Sequence, residues 1–175
     1  IKRDVNVVDL DKAIAGEAHD TKAVMVGWDV DFGRAKLQIA AEALLAGAEL
    51  YCASDVPFFA SQHRLNVGVS GFIASGLEYV SGQKREVLGK PSQHSMDIIS
   101  EHLGHPAANI LVIGDDIMLE SKMARAGGAV AGLVTTGTSS AEDAATCAPE
   151  IKPELVVSNM FELIDLLKQA DGAKV

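Results

Sequence analysis

The chain has 175 residues, 48% of them hydrophobic, with a net charge of −9 and a pI near 4.9. That is apolar material for one domain or two small lobes with a real core, and too much for a disordered chain. The acidic balance argues against nucleic acid or an anionic membrane as the main partner, but leaves room for an anionic substrate, because a metal ion or one lysine can reverse the field locally.

In chain order, runs rich in Val, Ile and Leu alternate with helical patterns. VNVVDL (5–10) and AVMVGW (23–28) predict strands. Residues 33–47 predict a helix, with Leu37, Ile39, Ala40, Leu44 and Leu45 on or near one face and Gly47 past its end as a C-cap. Four further pairs follow. They are strand ELYCAS (49–54) with helix 68–81, strand EVLGK (86–90) with helix 92–103, strand NILVIGD (109–115) with helix 119–127, and strand AVAGLVTTG (129–137) with helix 139–147. The chain closes on strand LVVS (155–158) and a helix over 159–170 that carries Met160, Phe161, Leu163, Ile164, Leu166 and Leu167. This alternation predicts an α/β fold with mainly parallel sheets. The polar, glycine-containing SGQKRE at 81–86 marks a lobe boundary, dividing residues 1–85 from 86–175.

Cys52 and Cys147 are far apart and form no CxxC, which points away from a disulfide framework or a zinc site and toward a reducing compartment. No apolar run reaches ~18 residues and no signal peptide is visible, so a cytoplasmic protein without a membrane partner is expected.

In open parallel sheets, ligands gather at the carboxyl ends of the strands. Each predicted strand here ends in polar groups: Asp29 and Asp31, then Ser54 and Asp55, then Lys90-Pro91-Ser92, then Gly114-Asp115-Asp116, then Thr135 to Ser140. NILVIGDD is the strongest signal. A wholly apolar strand turns at Gly114 and delivers two carboxylates, and Mg²⁺ takes one or two carboxylates while keeping several waters. The same pattern also describes an Asp that caps the helix starting near Leu119. VLGKPS is the second signal. A lysine at a strand end can neutralise a phosphate or keep a neighbouring carboxylate charged, though a lone loop lysine is most often solvated. VMVGWDVDFG (24–33) places Asp29 and Asp31 in an Asp-x-Asp spacing that suits a nucleophile and a proton shuttle. Asp9 and Asp11 form a second such pair. The five histidines, His19, His63, His94, His102 and His105, lack HxH or HExxH spacing and are expected at the surface or at helix caps. Ser139-Ser140 followed by Glu142 is expected to cap a helix, and Cys147 to be a buried or helix-end thiol. Ala126-Gly127-Gly128 ends a helix, since no GxGxxG or GxxxxGK[ST] is present.

Three blocks in order, VMVGWDVDFGRAKLQIAAEALLAGAEL, GLEYVSGQKREVLGKPS and ILVIGDDIMLESKMARAGGAVAGLVTTGTSS, resemble the haloacid dehalogenase superfamily over residues 20 to 168. Within it they are most similar to the class II phosphatases with a C2-type cap, such as the NagD and p-nitrophenyl-phosphatase enzymes. The resemblance implies a Rossmann-like parallel sheet, here the carboxy-terminal half of the core (86–175), with part of an α/β C2 cap (1–85). It implies that Asp29 and Asp31 belong to the cap, and that the strand with the aspartate nucleophile lies upstream of this sequence. It implies that Lys90 stabilises the attacking carboxylate and the phosphate, and that Asp115 helps hold Mg²⁺. Glu120 falls where relatives usually carry a second Asp, and Leu119 stands where a Thr usually precedes it; Asp116 could share that metal role. Ser54 and Asp55 fall in the cap loop that binds and selects substrate, although Ala53-Ser54-Asp55-Val56 departs from the usual Thr-Asn-x-Asp. The implied function is Mg²⁺-dependent hydrolysis of a small phosphorylated metabolite through an aspartyl-phosphate. The alternative is a non-catalytic module that binds a phosphorylated small molecule or a partner subunit. A homo-oligomer or a missing N-terminal segment is expected to cover the half-sheet.

Overall fold

The apolar runs form strands that pair in parallel, and the helical patterns form the helices that cover them. The computed structural model describes residues 6–10, 20–29, 31–60 and 65–172. It divides into two compact units, one running up to Pro57 and resuming over Val67–Val87, the other comprising Phe58–Asn66 and the chain from Leu88 onward.

The first part of the chain supplies β1 (Ala23–Val26), α1 (Arg34–Leu45), β2 (Glu49–Cys52), the short β3 (Phe58–Ala60) and β4 (Leu65–Val67), α2 (Val69–Ser81) and β5 (Arg85–Val87). In the first unit β1, β2 and β5 make a three-stranded parallel sheet in that order, with Val24 opposite Leu50 and Tyr51 opposite Glu86. α1 and α2 pack on it and on each other. Ala40, Ala43 and Ala74 let the two backbones approach, while Leu44, Leu50, Ile73 and Leu77 fill the layer beneath. The end of α1 follows the predicted signal. Gly47 takes φ +104°, and the Gly47 and Ala48 amides donate to the Leu44 and Ala43 carbonyls.

The second unit supplies α3 (Gln93–Leu103), β6 (Leu111–Gly114), a wide turn of π-helix over Ile117–Ser121, α4 (Lys122–Ala126), β7 (Val130–Val134), α5 (Ala141–Thr146), β8 (Leu155–Val157) and α6 (Met160–Gly172). Its sheet is also parallel, in the order β6-β7-β8. The central strand β7 is buried on both faces. Ala131 packs with Met96, Met123 and Ala124, Leu133 with Ile117 and Ala144, and Val134 with Val157 and Leu163. A strand buried this way explains its near-continuous apolar sequence.

Three expectations change. Residues 6–10, expected as a strand, take no strand pairing, and Val5 lies outside the described residues. The strand expected at 86–90 is Arg85–Val87, and it pairs with β2 in the first unit. The chain from Leu88 begins the second unit, so Glu86 and Val87 stand with the first, and residues 58–66 fall with the second. The two-stranded β3-β4 sheet was not foreseen, since each strand is three residues long and too short for an alternation to show.

Leu133 is fully buried at the centre of the second unit. Leu133→Ala is expected to cost about 2–5 kcal/mol of unfolding free energy, measured by urea denaturation.

Candidate functional site

Residues 88–92 form a tight turn after β5. The Ser92 amide donates to the Gly89 carbonyl at 2.8 Å, and the Ser92 and Ser95 hydroxyls both donate to the Leu88 carbonyl at 2.9 Å. The turn presents Lys90, which meets a carboxylate thirty residues on: its Nζ donates to Glu120 Oε1 at 2.5 Å. The Glu120 side chain is 12% exposed and that of Lys90 48%. The ammonium therefore keeps a solvent-facing side while it compensates a buried charge.

Glu120 reaches this position for two local reasons. Gly114, at the end of β6, has no Cβ; one there would stand 2.2 Å from Glu120 Cγ. The wide turn over Ile117–Ser121 then brings Glu120 back over that glycine, and such turns recur at functional sites. Asp116 starts the turn. Its Oδ1 accepts from the Met118 amide at 2.8 Å, and its carbonyl accepts from the Leu119 and Glu120 amides. The capping role that a strand-end Asp could play thus falls to Asp116.

Asp115 is held differently. Its Oδ2 accepts from the Thr138 amide at 3.1 Å and the Thr138 hydroxyl at 3.4 Å, and its carbonyl accepts from the Ser139 amide. A Cβ on Gly137 would fall 1.8 Å from that oxygen, so the loop needs glycine there to close on the carboxylate. Ser139 ties the same loop to the wide turn by accepting from the Ile117 amide at 3.1 Å. Ser140 caps α5 as expected, in a capping box whose acidic partner is Asp143, with Glu142 beside it.

The acidic residues influence one another. Burial raises the Asp116 carboxyl above its ordinary 3.8; the Met118 amide opposes this, and the charges of Glu120 and Asp115 add to the rise. Glu120 Oε2 is buried with no hydrogen-bond partner. An orphaned carboxylate oxygen on a residue whose charge reaches Asp116 fits a hard cation. Among the described residues no three His, Cys, Asp or Glu side chains converge as a ready metal cage. Mg²⁺ does not require one, since it is commonly held by one or two carboxylates, waters and substrate oxygens.

Ser54 and Asp55 belong to the first unit, at the carboxyl end of β2, while Lys90, Asp115, Asp116 and Glu120 belong to the second. The Ser54 carbonyl accepts from Cys52 Sγ at 3.0 Å and from the Ser70 hydroxyl at 3.1 Å, and Asp55 Oδ1 accepts from Arg85 Nη2 at 3.0 Å. Asp29 is engaged through both carboxylate oxygens: Oδ2 takes Lys36 Nζ at 3.0 Å and Oδ1 takes the Asp31 amide at 2.8 Å, which lowers its carboxyl pKa. That geometry is a turn lock and gives the Asp-x-Asp spacing a structural role. The apolar cavity lined by Val24, Val26, Phe32, Leu37, Ile73 and Leu77 also lies in the first unit, with Asp29 and Lys36 at its lining, and brings together none of the residues singled out from the strand ends of the second unit.

His94, His102 and His105 are exposed, as expected, while His19, His63 and Asp11 lie outside the described residues. Both cysteines are free. Cys52 is fully buried, which pushes its thiol up, and Cys147 directly follows α5. Among the described residues no helix is long and apolar enough to cross a membrane.

Residues 87–163 match the HAD-hydrolase-like family model. Chronophin from Bos taurus is 29% identical over 158 residues, covering 87% of this chain and 53% of its own. The chain thus spans about half the length of the curated relatives it matches most fully. Among solved structures, p-nitrophenyl phosphatase from Archaeoglobus fulgidus superposes with a TM-score of 0.74 at 25% identity, over 91% of this chain and 59% of its own. Glycerol phosphate phosphatase from Mycobacterium tuberculosis in complex with magnesium gives 0.73 at 29% identity, over 81% and 42%.

The raised Asp116 carboxyl has a definite consequence for stability. A folded-state value above the unfolded one favours the protonated group, so its contribution is full below pH 3.8 and is lost as pH rises through the folded value. Asp116→Asn keeps the acceptor for Met118 and removes the titration. In metal-free buffer, the advantage of the Asn variant over the parent in urea unfolding should grow as pH rises past 3.8 and then level off. A constant difference would contradict the assignment.

Proposed function

We propose, from the premise that the chain belongs to the haloacid dehalogenase superfamily, that it serves a Mg²⁺-dependent phosphatase acting on small phosphomonoesters. One observation carries this reading: Lys90 is held against the buried Glu120, beside Asp115 and Asp116, at the carboxyl end of a parallel sheet. A cation and a group of carboxylates side by side suit a substrate that is itself a phosphate dianion. Asp115 and Glu120 would hold the Mg²⁺, with Asp116 sharing the role, and Glu120 Oε2 offers an uncommitted oxygen. Bound there, the ion supplies charge neutralisation for the phosphoryl oxygens. Lys90 pairs with the same oxygens and keeps the attacking carboxylate charged.

The reaction runs in two displacements. A carboxylate oxygen attacks phosphorus, the P–O bond to the leaving group breaks, and the leaving oxygen takes a proton from solvent, which the attacking water of the second displacement returns. Water then cleaves the aspartyl-phosphate and releases inorganic phosphate. Both oxygens of Asp29 are occupied, and the partner of Asp9 in its Asp-x-Asp spacing lies outside the described residues. The attacking carboxylate is therefore proposed to come from outside the described residues. The first unit acts in this reading as part of a C2-type cap, in which Ser54 and Asp55 at the end of β2 bind substrate. The two free thiols fit a reducing, cytoplasmic setting.

A second reading is favoured by the engagement of Asp29: a module that binds a phosphorylated small molecule without turnover. Hydrolysis of p-nitrophenyl phosphate with and without Mg²⁺ separates the two. The phosphatase reading expects Mg²⁺-dependent turnover that falls roughly 10²–10³-fold in Lys90→Ala and in Asp115→Asn. Turnover untouched by both substitutions would overturn the site assignment. A folded chain that binds phosphate but does not hydrolyse the ester would support the binding module.

A further inference from the structure

The loop 53–57, between β2 and β3, is clamped from β2 and from α2, both within the first unit. From β2, Cys52 Sγ donates to the Ser54 carbonyl at 3.0 Å. From the start of α2, the Ser70 hydroxyl donates to the same carbonyl and the Gly68 amide donates to the Pro57 carbonyl at 2.8 Å. The approach at α2 is so close that a Cβ on Gly68 would lie 1.6 Å from the Val56 carbonyl oxygen, and one on Gly71 3.2 Å from Asp55 Oδ1. These contacts fix the backbone and leave the Asp55 side chain to be fixed by something else.

That group is Arg85. Its Nη2 donates to Asp55 Oδ1 at 3.0 Å, and the guanidinium is anchored before it gets there. Nη1 donates to Glu78 Oε2 at 2.5 Å and to the Ser75 hydroxyl at 3.1 Å, while the Arg85 backbone amide donates to Glu78 Oε1 at 2.9 Å. Ser75 is itself oriented by its bond to the Gly71 carbonyl. The Arg85 side chain is 19% exposed and Glu78 20%. A fork held on two sides in this way has already lost the rotamer freedom that makes isolated surface ion pairs weak, so the third contact forms at low entropic cost. Asp55, in contrast, is 42% exposed, and its bond to Arg85 uses Oδ1.

We propose that Arg85 is a positioning residue: anchored on Glu78 and Ser75, it holds the Asp55 carboxylate in one orientation, so that loop 53–57 presents a fixed acceptor to a hydroxyl of the substrate. The first half of this statement stands on the geometry alone. The second rests on the reading above, that this loop meets the substrate.

The test separates the two halves. Three-bond couplings that report the Asp55 χ1 rotamer, with ¹⁵N order parameters for residues 53–57, are measured in the parent chain and in Arg85→Met. The parent should show one staggered Asp55 rotamer and order parameters near the rigid value of about 0.85. Arg85→Met should average the Asp55 rotamer while Leu50 and Tyr51 in β2 keep their order. Asp55→Asn, which keeps an acceptor for Nη2, should retain a single rotamer. A role limited to stability would lower the unfolding midpoint without averaging that side chain. An unchanged rotamer in Arg85→Met overturns the positioning role. Should Arg85→Met not fold, Glu78→Gln, which keeps the guanidinium but loosens its anchor, is expected to give partial averaging, and an unchanged rotamer there overturns the role equally. Glycerol 3-phosphate, whose hydroxyls can donate to a carboxylate as a phenyl group cannot, is then titrated into the parent and the folded variant. The proposal expects the Ser54 and Asp55 amide signals to move in the parent, and the apparent affinity to fall severalfold in the variant. Rotamer averaging with amides that glycerol 3-phosphate leaves unmoved would reject contact between loop and substrate while leaving the Arg85–Asp55 linkage standing.

Discussion

Burying one carboxylate at the end of a parallel strand sets the terms for the second unit. Glu120 loses water over β6, and a buried charge persists only when it is paired and hydrogen-bonded. Lys90 provides the pairing. Much of the local sequence then has a reason. Gly114 must lack a side chain so that Glu120 can lie across the strand end, and a wide turn must return the chain by five residues. Residues 88–92 must be rigid enough to aim the lysine, which the Leu88 carbonyl achieves by accepting from two serines. Truncating either partner would leave the other charge uncompensated, so the pair is better understood as a constraint on arrangement than as a source of stability.

The same logic explains why chemistry can collect here. Three acidic residues lie within six positions, and burial first, then the charges of Glu120 and Asp115, hold the Asp116 carboxyl above its ordinary value. A fold has no structural need for Glu120 Oε2 to stay unpaired. Such a cost persists where a ligand is expected to relieve it. The first unit solves a related problem differently. Its acidic loop residue pairs with an arginine shared with Glu78, so one cation serves two carboxylates within the fold.

How far the sequence discloses this depends on distance along the chain. Periodicity is local, so the helices and most of the strands follow from residues within one turn or pleat of one another. Gly47 ends α1 for the backbone reason that its position suggests. Lys90 and Asp115 stand out because each ends an apolar strand. What stays hidden are relations set by pairing. The strand at 85–87 joins β2 because of a register between residues some thirty-five apart, and that register alone brings Arg85 to Asp55. The hold on Asp115 comes from the backbone amide of Thr138, which no side-chain pattern advertises, and the need for glycine at 137 becomes visible only once the two loops are seen to touch. The Asp-x-Asp at 29–31 is the converse case. Its spacing suits catalysis, yet Lys36, one helical turn into α1, and the Asp31 amide claim both oxygens. The resemblance to a known superfamily implies that these residues belong to the cap, and the hydrogen bonds of Asp29 suit a turn.

The central claim is that Lys90 and the carboxylates at 115, 116 and 120 act together as one phosphate and cation site. Calorimetric binding of inorganic phosphate, with and without Mg²⁺, tests it most directly when run as a double-mutant cycle over Lys90→Met and Asp115→Asn. The account predicts phosphate binding that requires Mg²⁺ and is lost about as fully in either single variant as in the double. Binding independent of Mg²⁺, or losses that simply add, would contradict it.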